Sequence, residues 1–166
     1  TSHEVQKIEV VEYEDLEKLL DKDAVAAFRR RALCPDEPVT RGTAQNPDIY
    51  FQTREAVNSY YQELPEVVEH YMNEINRITG RNYGLFNYYG AADAEKVIIA
   101  MGSSSEVIQT TVEHLNAQGE KVGLLVVHLY RPFSAKHFLS AMPKSVRKIA
   151  VLDRTKEPGS FGEPLY

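Results

Sequence analysis

Cysteine is nearly absent from this sequence, since Cys34 is the single cysteine among 166 residues. One thiol excludes a disulfide within the chain. It also excludes any site built from four thiolates, such as a zinc site with four cysteine ligands or an iron–sulfur cluster. With disulfides excluded, a cytoplasmic location is the expectation.

The sequence also lacks long apolar runs and an excess of positive charge. No run approaches the ~20 apolar residues that span a bilayer, and no charged-then-apolar leader is visible. Lysine and arginine total 19 against 24 aspartates and glutamates, which gives a net charge of −5. Nucleic acids and acidic membranes attract clustered positive charge, so the sequence predicts neither as a partner.

Residues 96–133 have the pattern of a strand, a helix and a second strand. The apolar runs at 97–100 and 121–129 occupy both odd and even positions, which is typical of strands buried on both faces. Between them, Ile108 and Val112 belong to one apolar stripe at helical spacing. The pattern predicts a βαβ unit with two parallel strands.

Neighbouring segments extend this unit into an α/β domain with three layers. Its sheet is predicted to be mainly parallel, with the first strand at an edge. The expected strands lie near 83–89, 96–101, 121–129 and 147–153, and the expected helices near 103–118 and 135–141. The predicted core contains Ile98, Val112, Leu125, Val127 and Ile149.

Residues 1–80 are predicted to be mainly helical. The segment 14–33 has two apolar sets divided by aspartates, which indicates two short helices. Two longer helices are expected at 53–64 and 65–79, with a break at Pro65 because proline disfavours helical angles in the residue before it. Their tyrosines and methionine are predicted to pack rather than to bind a cofactor.

The segment 34–52 is predicted to be a long loop, because it has three prolines and no helical period. Arg41, Gly42 and Thr43 offer a guanidinium and backbone amides that can bind an anion or a partner. Asn46 begins an expected turn. The alternative is that Arg41 and Asn46 only pin the loop to the body of the protein.

A second set of candidate contact residues follows the last predicted strand. Asp153 is expected at the strand's carboxyl end, where α/β proteins bind ligands. Arg154 and Lys156 flank it, so a local ion-pair network with Asp153 and Glu157 is the other interpretation.

Recognisable catalytic chemistry is missing. The serines after Gly102 lack the lysine and spacing of a phosphate loop, and a capping box between Ser103 and Glu106 explains them. His128 is expected to be a core residue. The other histidines fit no metal-ligand spacing with acidic residues; they are His3, His70, His114 and His137. No catalytic, cofactor-binding or metal site is therefore predicted.

Three stretches of the chain resemble the pyruvate:ferredoxin (flavodoxin) oxidoreductase family. They read CPDEPVTRGTAQNPDIYFQTREAVNSYY, GAADAEKVIIAMGSSSEV and LLVVHLYRPFSAKHFLSAMPKSVRKIAVLDRTKEPGSFGEPLY. RGTAQNPD and DRTKEPG are the most specific signatures. The opening TSHEVQKIE is also similar to the sequence leaving that enzyme's first domain.

The resemblance implies a fragment of a much longer polypeptide. It implies that residues 1–52 are the tail of the pyrimidine-binding domain with its long loop, and that residues 53–80 are linking helices. Residues 81–166 would then form a domain similar to the transketolase C-terminal domain. Relatives of that domain bind no thiamine phosphates, so a structural and docking role is the expectation.

The resemblance also implies a reaction for the parent enzyme. That reaction is the oxidative decarboxylation of pyruvate with coenzyme A to acetyl-CoA, with electrons passed to ferredoxin or flavodoxin. The implied cofactors are thiamine diphosphate, magnesium and 4Fe–4S clusters, none of them assigned to this fragment, which we expect to be inactive alone. Its implied partners are the remaining domains and the second subunit. The alternative is a self-sufficient small ligand-binding α/β protein.

Overall fold

The computed structural model describes residues 5, 7–40, 42 and 44–166. These residues form six helices and four strands. In chain order the elements are α1 (Tyr13–Leu19), α2 (Lys22–Arg30), α3 (Pro47–Ala56), α4 (Asn58–Thr79), β1 (Phe86–Gly90), β2 (Lys96–Ala100), α5 (Ser104–Ala117), β3 (Val122–Val127), α6 (Ala135–Ala141) and β4 (Lys148–Val151). No helix in this described part is long and apolar enough to cross a membrane.

The four strands form one sheet in the spatial order β1-β3-β2-β4. β2 pairs in parallel with β3 on one side and β4 on the other, so that Ile98 lies opposite both Leu124 and Ala150. β1 is antiparallel to β3 and lies at an edge. The predicted parallel pairing and the predicted edge position of the first strand are both confirmed.

Successive residues of the central strands point to opposite faces and build two apolar clusters. The odd-numbered residues of β2 and β3 belong to one cluster, against which Val68 and Met72 of α4 and Phe138 of α6 pack. The even-numbered residues belong to the other, which Val112 of α5 completes. Helices therefore lie on both faces, which confirms the three-layer α/β fold. Its likeness to the transketolase C-terminal domain stays a prediction.

β4 differs from the expectation of a buried strand. Ile149 was predicted to be in the core, but its side chain is 52% exposed, and Lys148 and Ala150 are exposed as well. β4 is the edge strand farthest from β1, and α5 packs over β1 and β3. Ile149 is in register with Val97, so its side chain points to the face on which α4 and α6 pack, not to the α5 face. α6 contacts β1 at the opposite edge of the sheet, and Ile149 at this edge stays half exposed. The core prediction for Ile149 is therefore wrong.

The N-terminal helices contribute little to the core. No residue of α1, α2 or α3 is buried, and α1 and α3 contact the long helix α4. The predicted division of 14–33 into two helices is confirmed by α1 and α2. The Asp21 carboxylate caps α2 by accepting the Ala24 N–H at 2.8 Å. Met72 packs on the sheet as predicted. Tyr60 and Tyr61 do not, since they are 73% and 51% exposed.

Pro65 lies inside α4, so the predicted helix break at this residue is wrong. A proline removes one backbone hydrogen bond, in this helix the one to the Tyr61 carbonyl. Burial of the Pro65 ring and packing of Val68 and Met72 on the sheet offset that loss. The break falls at Val57, between α3 and α4.

The long loop is shorter than predicted, because α3 begins at Pro47. Proline is favoured in the first helical turn, where its missing N–H would have no intrahelical acceptor. The Asn46 carbonyl accepts the amides of Ile49 and Tyr50, at 3.1 and 3.0 Å. The expected turn at Asn46 is therefore the start of a helix.

Candidate functional site

The carboxyl edge of the parallel strands holds one of the predicted contact residues, Asp153. Its carboxylate accepts the backbone amides of Leu165 and Tyr166, each at 3.3 Å. Both oxygens are thus used to hold the last residues of the chain against the end of β4. Asp153 has a structural role here, and its negative charge does not favour binding of an anion.

The predicted ion-pair network around Asp153 does not form. Lys156 donates to the Ser160 carbonyl instead, and the backbone amide of Glu157 donates to the Glu163 carboxylate. Within the described residues, Arg154 and Lys156 make no ion pair with either acid. A backbone carbonyl thus takes the place of a carboxylate as the partner of Lys156, because the segment turns back on itself after β4.

The candidate contacts of the long loop are only partly described. Arg41 and Thr43 lie outside the described residues. Gly42 and Asn46 are exposed, and the Asn46 side chain makes no capping bond to α3. The structure therefore brings no described residue of 34–52 to the carboxyl edge of the sheet as a ligand group.

The capping box predicted for α5 is not formed. Ser103 precedes the helix with φ −65° and ψ −18°, and its side chain makes no capping bond. These angles are already helical, whereas an effective N-cap residue is extended. In the described part of the chain, the Ser105 hydroxyl is the buried side-chain oxygen that lacks a hydrogen-bond partner.

His128 follows the end of β3 and is exposed, so its predicted core position is wrong. Its backbone amide donates to the Leu85 carbonyl at 3.0 Å. Partial desolvation lowers the pKa of His128. Among the residues that the structure describes, none forms an ion pair with this imidazole, and we assign it no binding role.

Glu66, Glu69 and His137 converge where α4 meets α6, and we call them the α4–α6 cluster. One possible ligand atom from each lies within 4.8 Å of the others. The Nε2 atom of His137 is 3.7 Å from Glu66 Oε2 and 3.5 Å from Glu69 Oε2. The imidazole is 11% exposed and the two carboxylates are 58% and 43% exposed. The cluster is therefore half-buried and open to solvent on its acidic side.

Two neighbours orient the α4–α6 cluster. The Ser134 hydroxyl lies 2.6 Å from Nδ1 of His137, so Ser134 contacts the imidazole instead of capping α6. The Lys136 ammonium donates to Oε1 of Glu66 at 2.9 Å. This hydrogen bond, with the charge of Lys136, lowers the pKa of Glu66 and keeps the carboxylate ionised.

Sequence spacing did not reveal this cluster. Glu66 and Glu69 are one helical turn apart and share a face of α4, which is the only sequence signal. His137 enters from a different element, and its approach depends on α4 and α6 packing on the same face of the sheet. Because His137 is distant from both glutamates in the sequence, no local spacing indicates that it belongs to the cluster.

An apolar groove of about 320 Å³ runs between α5 and the β2–β4 side of the sheet. It lies beside β4, where Lys148 and Ala150 are exposed. Its lining comprises Lys96, Val97, Ile98, Thr111, Val112, Leu115, Val122, Lys148, Ile149 and Ala150. The groove offers apolar area with few convergent polar groups, which suits packing better than recognition of a polar ligand.

Two family models match the chain, one in each half. The model described as "Pyruvate flavodoxin/ferredoxin oxidoreductase, thiamine diP-bdg" matches residues 1–73. The model described as "Pyruvate:ferredoxin oxidoreductase core domain II" matches residues 94–166. α1 to α3 and most of α4 lie in the first match, and the sheet strands β2, β3 and β4 lie in the second.

Curated relatives agree with both models. The chain is 70% identical over 166 residues to the pyruvate-flavodoxin oxidoreductase of Enterobacter agglomerans. It is 64% identical over 166 residues to the pyruvate:ferredoxin oxidoreductase of Moorella thermoacetica. Each alignment covers 100% of this chain and 14% of the relative, so the chain spans about one seventh of the relatives' length. The chain belongs to the pyruvate:ferredoxin (flavodoxin) oxidoreductase family.

Proposed function

We propose that this chain is a non-catalytic structural and docking part of a pyruvate:ferredoxin (flavodoxin) oxidoreductase. The parent enzyme would decarboxylate pyruvate oxidatively with coenzyme A and pass the electrons to ferredoxin or flavodoxin. Family membership supports the parent identity. The docking role rests on the surface of the chain itself.

Exposed apolar side chains on the N-terminal helices carry this proposal. Phe28 of α2 and Phe51 of α3 are each 70% exposed, and Tyr60 of α4 is 73% exposed. Large exposed apolar surfaces mark interaction sites in soluble proteins. All three residues fall in the part matched by the thiamine diphosphate-binding model. They are suitably placed to pack against other segments of the parent.

The cofactor chemistry of the parent would then come from outside this chain. Iron–sulfur clusters are held by several cysteine thiolates, and this chain has only Cys34. Thiamine diphosphate, magnesium, the clusters and the electron carrier would contact the remaining domains or the second subunit. The contribution of this chain is to position those parts.

Substitutions in the whole enzyme test the docking role. Phe51→Ser and Tyr60→Ser together should reduce assembly of the parent enzyme and its pyruvate-dependent reduction of ferredoxin or flavodoxin. In this chain alone, each should change the free energy of unfolding by no more than about 0.5 kcal/mol, because both side chains are exposed.

The matched control is the pair Phe51→Leu and Tyr60→Phe, which keeps apolar surface at both positions. An enzyme that carries this pair should assemble and turn over as the unsubstituted enzyme does. If the serine pair assembles and turns over normally, the docking proposal fails. If the leucine–phenylalanine pair is as defective as the serine pair, loss of apolar contact is not the cause.

A second candidate function is a small self-sufficient ligand-binding protein, and the groove beside β4 is its candidate site. Its volume of about 320 Å³ is at the lower end of the range for small-molecule sites. Isothermal titration of this chain with coenzyme A and with thiamine diphosphate separates the two functions. Tight binding of either compound would favour the ligand-binding function, and no binding is the result expected for a docking segment.

A further inference from the structure

We propose that the α4–α6 cluster binds one zinc ion through Glu66, Glu69 and His137. The ion would link the part of the chain matched by the thiamine diphosphate-binding model to the part matched by core domain II, since the glutamates lie in the first and His137 in the second. This proposal is independent of the docking surface on α2 to α4. Its basis is the geometry of three side chains.

The separations within the cluster fit the dimensions of a zinc site. Zinc binds imidazole nitrogen and carboxylate oxygen at about 2.1 Å, and tetrahedral geometry then places two ligands ~3.4 Å apart. The Nε2 atom of His137 lies 3.7 and 3.5 Å from the two carboxylate oxygens. Small side-chain movements therefore close the site, and the solvent-exposed side leaves a fourth position for water.

The surroundings of His137 orient it for metal binding. When Nδ1–H donates to the Ser134 hydroxyl at 2.6 Å, the lone pair of Nε2 faces the two carboxylates. Three acceptor atoms then point at one another, and a cation or a proton must lie between them. Histidines that bind metals commonly donate their other ring N–H to an oxygen in this way.

Glu66 is held in a suitable orientation by Lys136. The ammonium bonds Oε1 at 2.9 Å, and Oε2 is the oxygen that faces His137. Carboxylates that bind metals are themselves usually hydrogen-bonded. Two carboxylates and one ammonium leave one net negative charge at the cluster, which favours a divalent cation there.

The mixed nitrogen and oxygen ligands favour zinc over magnesium. Magnesium prefers six oxygen ligands and gives up its water reluctantly, whereas imidazole is a good ligand for zinc. A bound zinc ion would add a metal link between α4 and α6, which already contact each other through the Lys136–Glu66 ion pair and pack on the same face of the sheet. It would thereby fasten the long helix to the sheet domain.

Zinc titration of the chain tests this proposal. The background is Cys34→Ser, because the free Cys34 thiol is exposed and thiolates bind zinc. We expect one zinc ion per chain in the tightest class of site. Glu69→Gln and His137→Asn should each weaken this binding at least ~10-fold, because each removes one of three ligands.

Two matched variants control for unspecific zinc binding. Glu63→Gln removes an exposed carboxylate one turn before Glu66 on α4, and His114→Asn removes an exposed imidazole on α5. Both should leave the tightest class unchanged. If Glu69→Gln and His137→Asn bind zinc as these controls do, the cluster is only an ion-pair network and the proposal is overturned.

Cobalt(II) gives an independent spectroscopic readout of the coordination geometry at the cluster. Titration of the Cys34→Ser chain should produce the visible absorption of four-coordinate cobalt with nitrogen and oxygen ligands. His137→Asn should abolish that absorption while the far-ultraviolet circular dichroism stays unchanged. A cobalt spectrum that is insensitive to His137→Asn in a folded variant would overturn the assignment.

Discussion

Asn76 binds both backbone polar groups of Tyr83. Its side-chain amide donates to the Tyr83 carbonyl at 2.7 Å, and its Oδ1 accepts the Tyr83 N–H at 2.6 Å. Asn76 lies near the end of α4 and Tyr83 precedes β1, so the two bonds fix the path of the chain from helix to sheet. Gly80 makes that path possible by ending α4 with φ 70°.

Asn76→Ala should therefore lower the free energy of unfolding by about 1–3 kcal/mol, because two hydrogen bonds are lost at ~0.5–1.5 kcal/mol each. Urea denaturation measures this change. Asn58→Ala is the control, since the Asn58 side chain donates to the exposed Glu55 only three residues before it. Equal effects of the two substitutions would contradict the proposed role of Asn76.

Gly90 ends β1 where no side chain fits. Its φ is 130°, and an added Cβ would lie 2.5 Å from the Val122 carbonyl oxygen and 2.7 Å from the Gly123 Cα. Gly90→Ala should cost at least ~1–3 kcal/mol of stability, because backbone atoms of β3 must move. The measurement is the urea midpoint of the purified variant.

Gly119→Ala is the matched control for Gly90. It also has a positive φ, of 92°, but an added Cβ meets nothing within 4 Å. Its cost should be limited to the ~1–2 kcal/mol of a left-handed non-glycine residue. A loss at Gly90 no larger than that at Gly119 would mean that the contact with β3 is relieved at little cost.

Leu125 and Ile149 should respond very differently to truncation. Leu125→Ala removes a side chain that is 0% exposed at the centre of the sheet, and should cost about 2–5 kcal/mol. Ile149→Ala removes one that is 52% exposed on β4, and should change stability by ~0.5 kcal/mol or less. Thermal unfolding of both variants checks the contrast, and a large loss for Ile149→Ala would indicate that its face of β4 is covered in solution.

Tyr88 should make stability fall at high pH. Burial, and secondarily the Asp93 carboxylate, raises the pKa of the Tyr88 phenol above its ordinary value. The unfolded chain then loses this proton first as the pH rises above about 10. Its stabilising contribution is complete below that pH and is lost as the pH rises through the pKa of the folded state.

Tyr88→Phe tests this pH dependence. At pH 8 the variant should be less stable by ~0.5–1.5 kcal/mol, because the hydroxyl donates to the Ala91 carbonyl at 2.6 Å. The difference between the two proteins should shrink as the pH rises above about 10, measured by urea unfolding at each pH. A constant difference would show that the phenol ionises alike in the folded and unfolded chains.

The sheet domain was predictable because its signals are local. The apolar run of β3 occupies both odd and even positions, and such a strand must be covered on both faces. The helical spacing of α5 placed one apolar stripe between β2 and β3, so parallel pairing followed from the need for a crossover. Gly80 and Gly119 both have positive φ and follow the ends of α4 and α5, where glycine is favoured.

The errors concern residues whose environment is set by distant segments. Ile149 has the apolar character of a core residue, but its exposure depends on what lies over an edge strand. Pro65 has a strong local preference against helix, yet burial of its ring and packing of the next turns on the sheet outweigh one lost hydrogen bond. A conformational preference of a few kcal/mol at a single residue is outweighed when packing contributes a free energy of similar size.

By itself, the sequence determined the element types, the parallel sheet and the family to which the chain belongs, because these follow from periodicity and from contiguous signatures. The tertiary structure alone decided which side chains meet. Glu66 and Glu69 meet His137 only because α4 and α6 pack on the same face of the sheet. Such contacts between distant segments are properties of packing, and no local pattern encodes them.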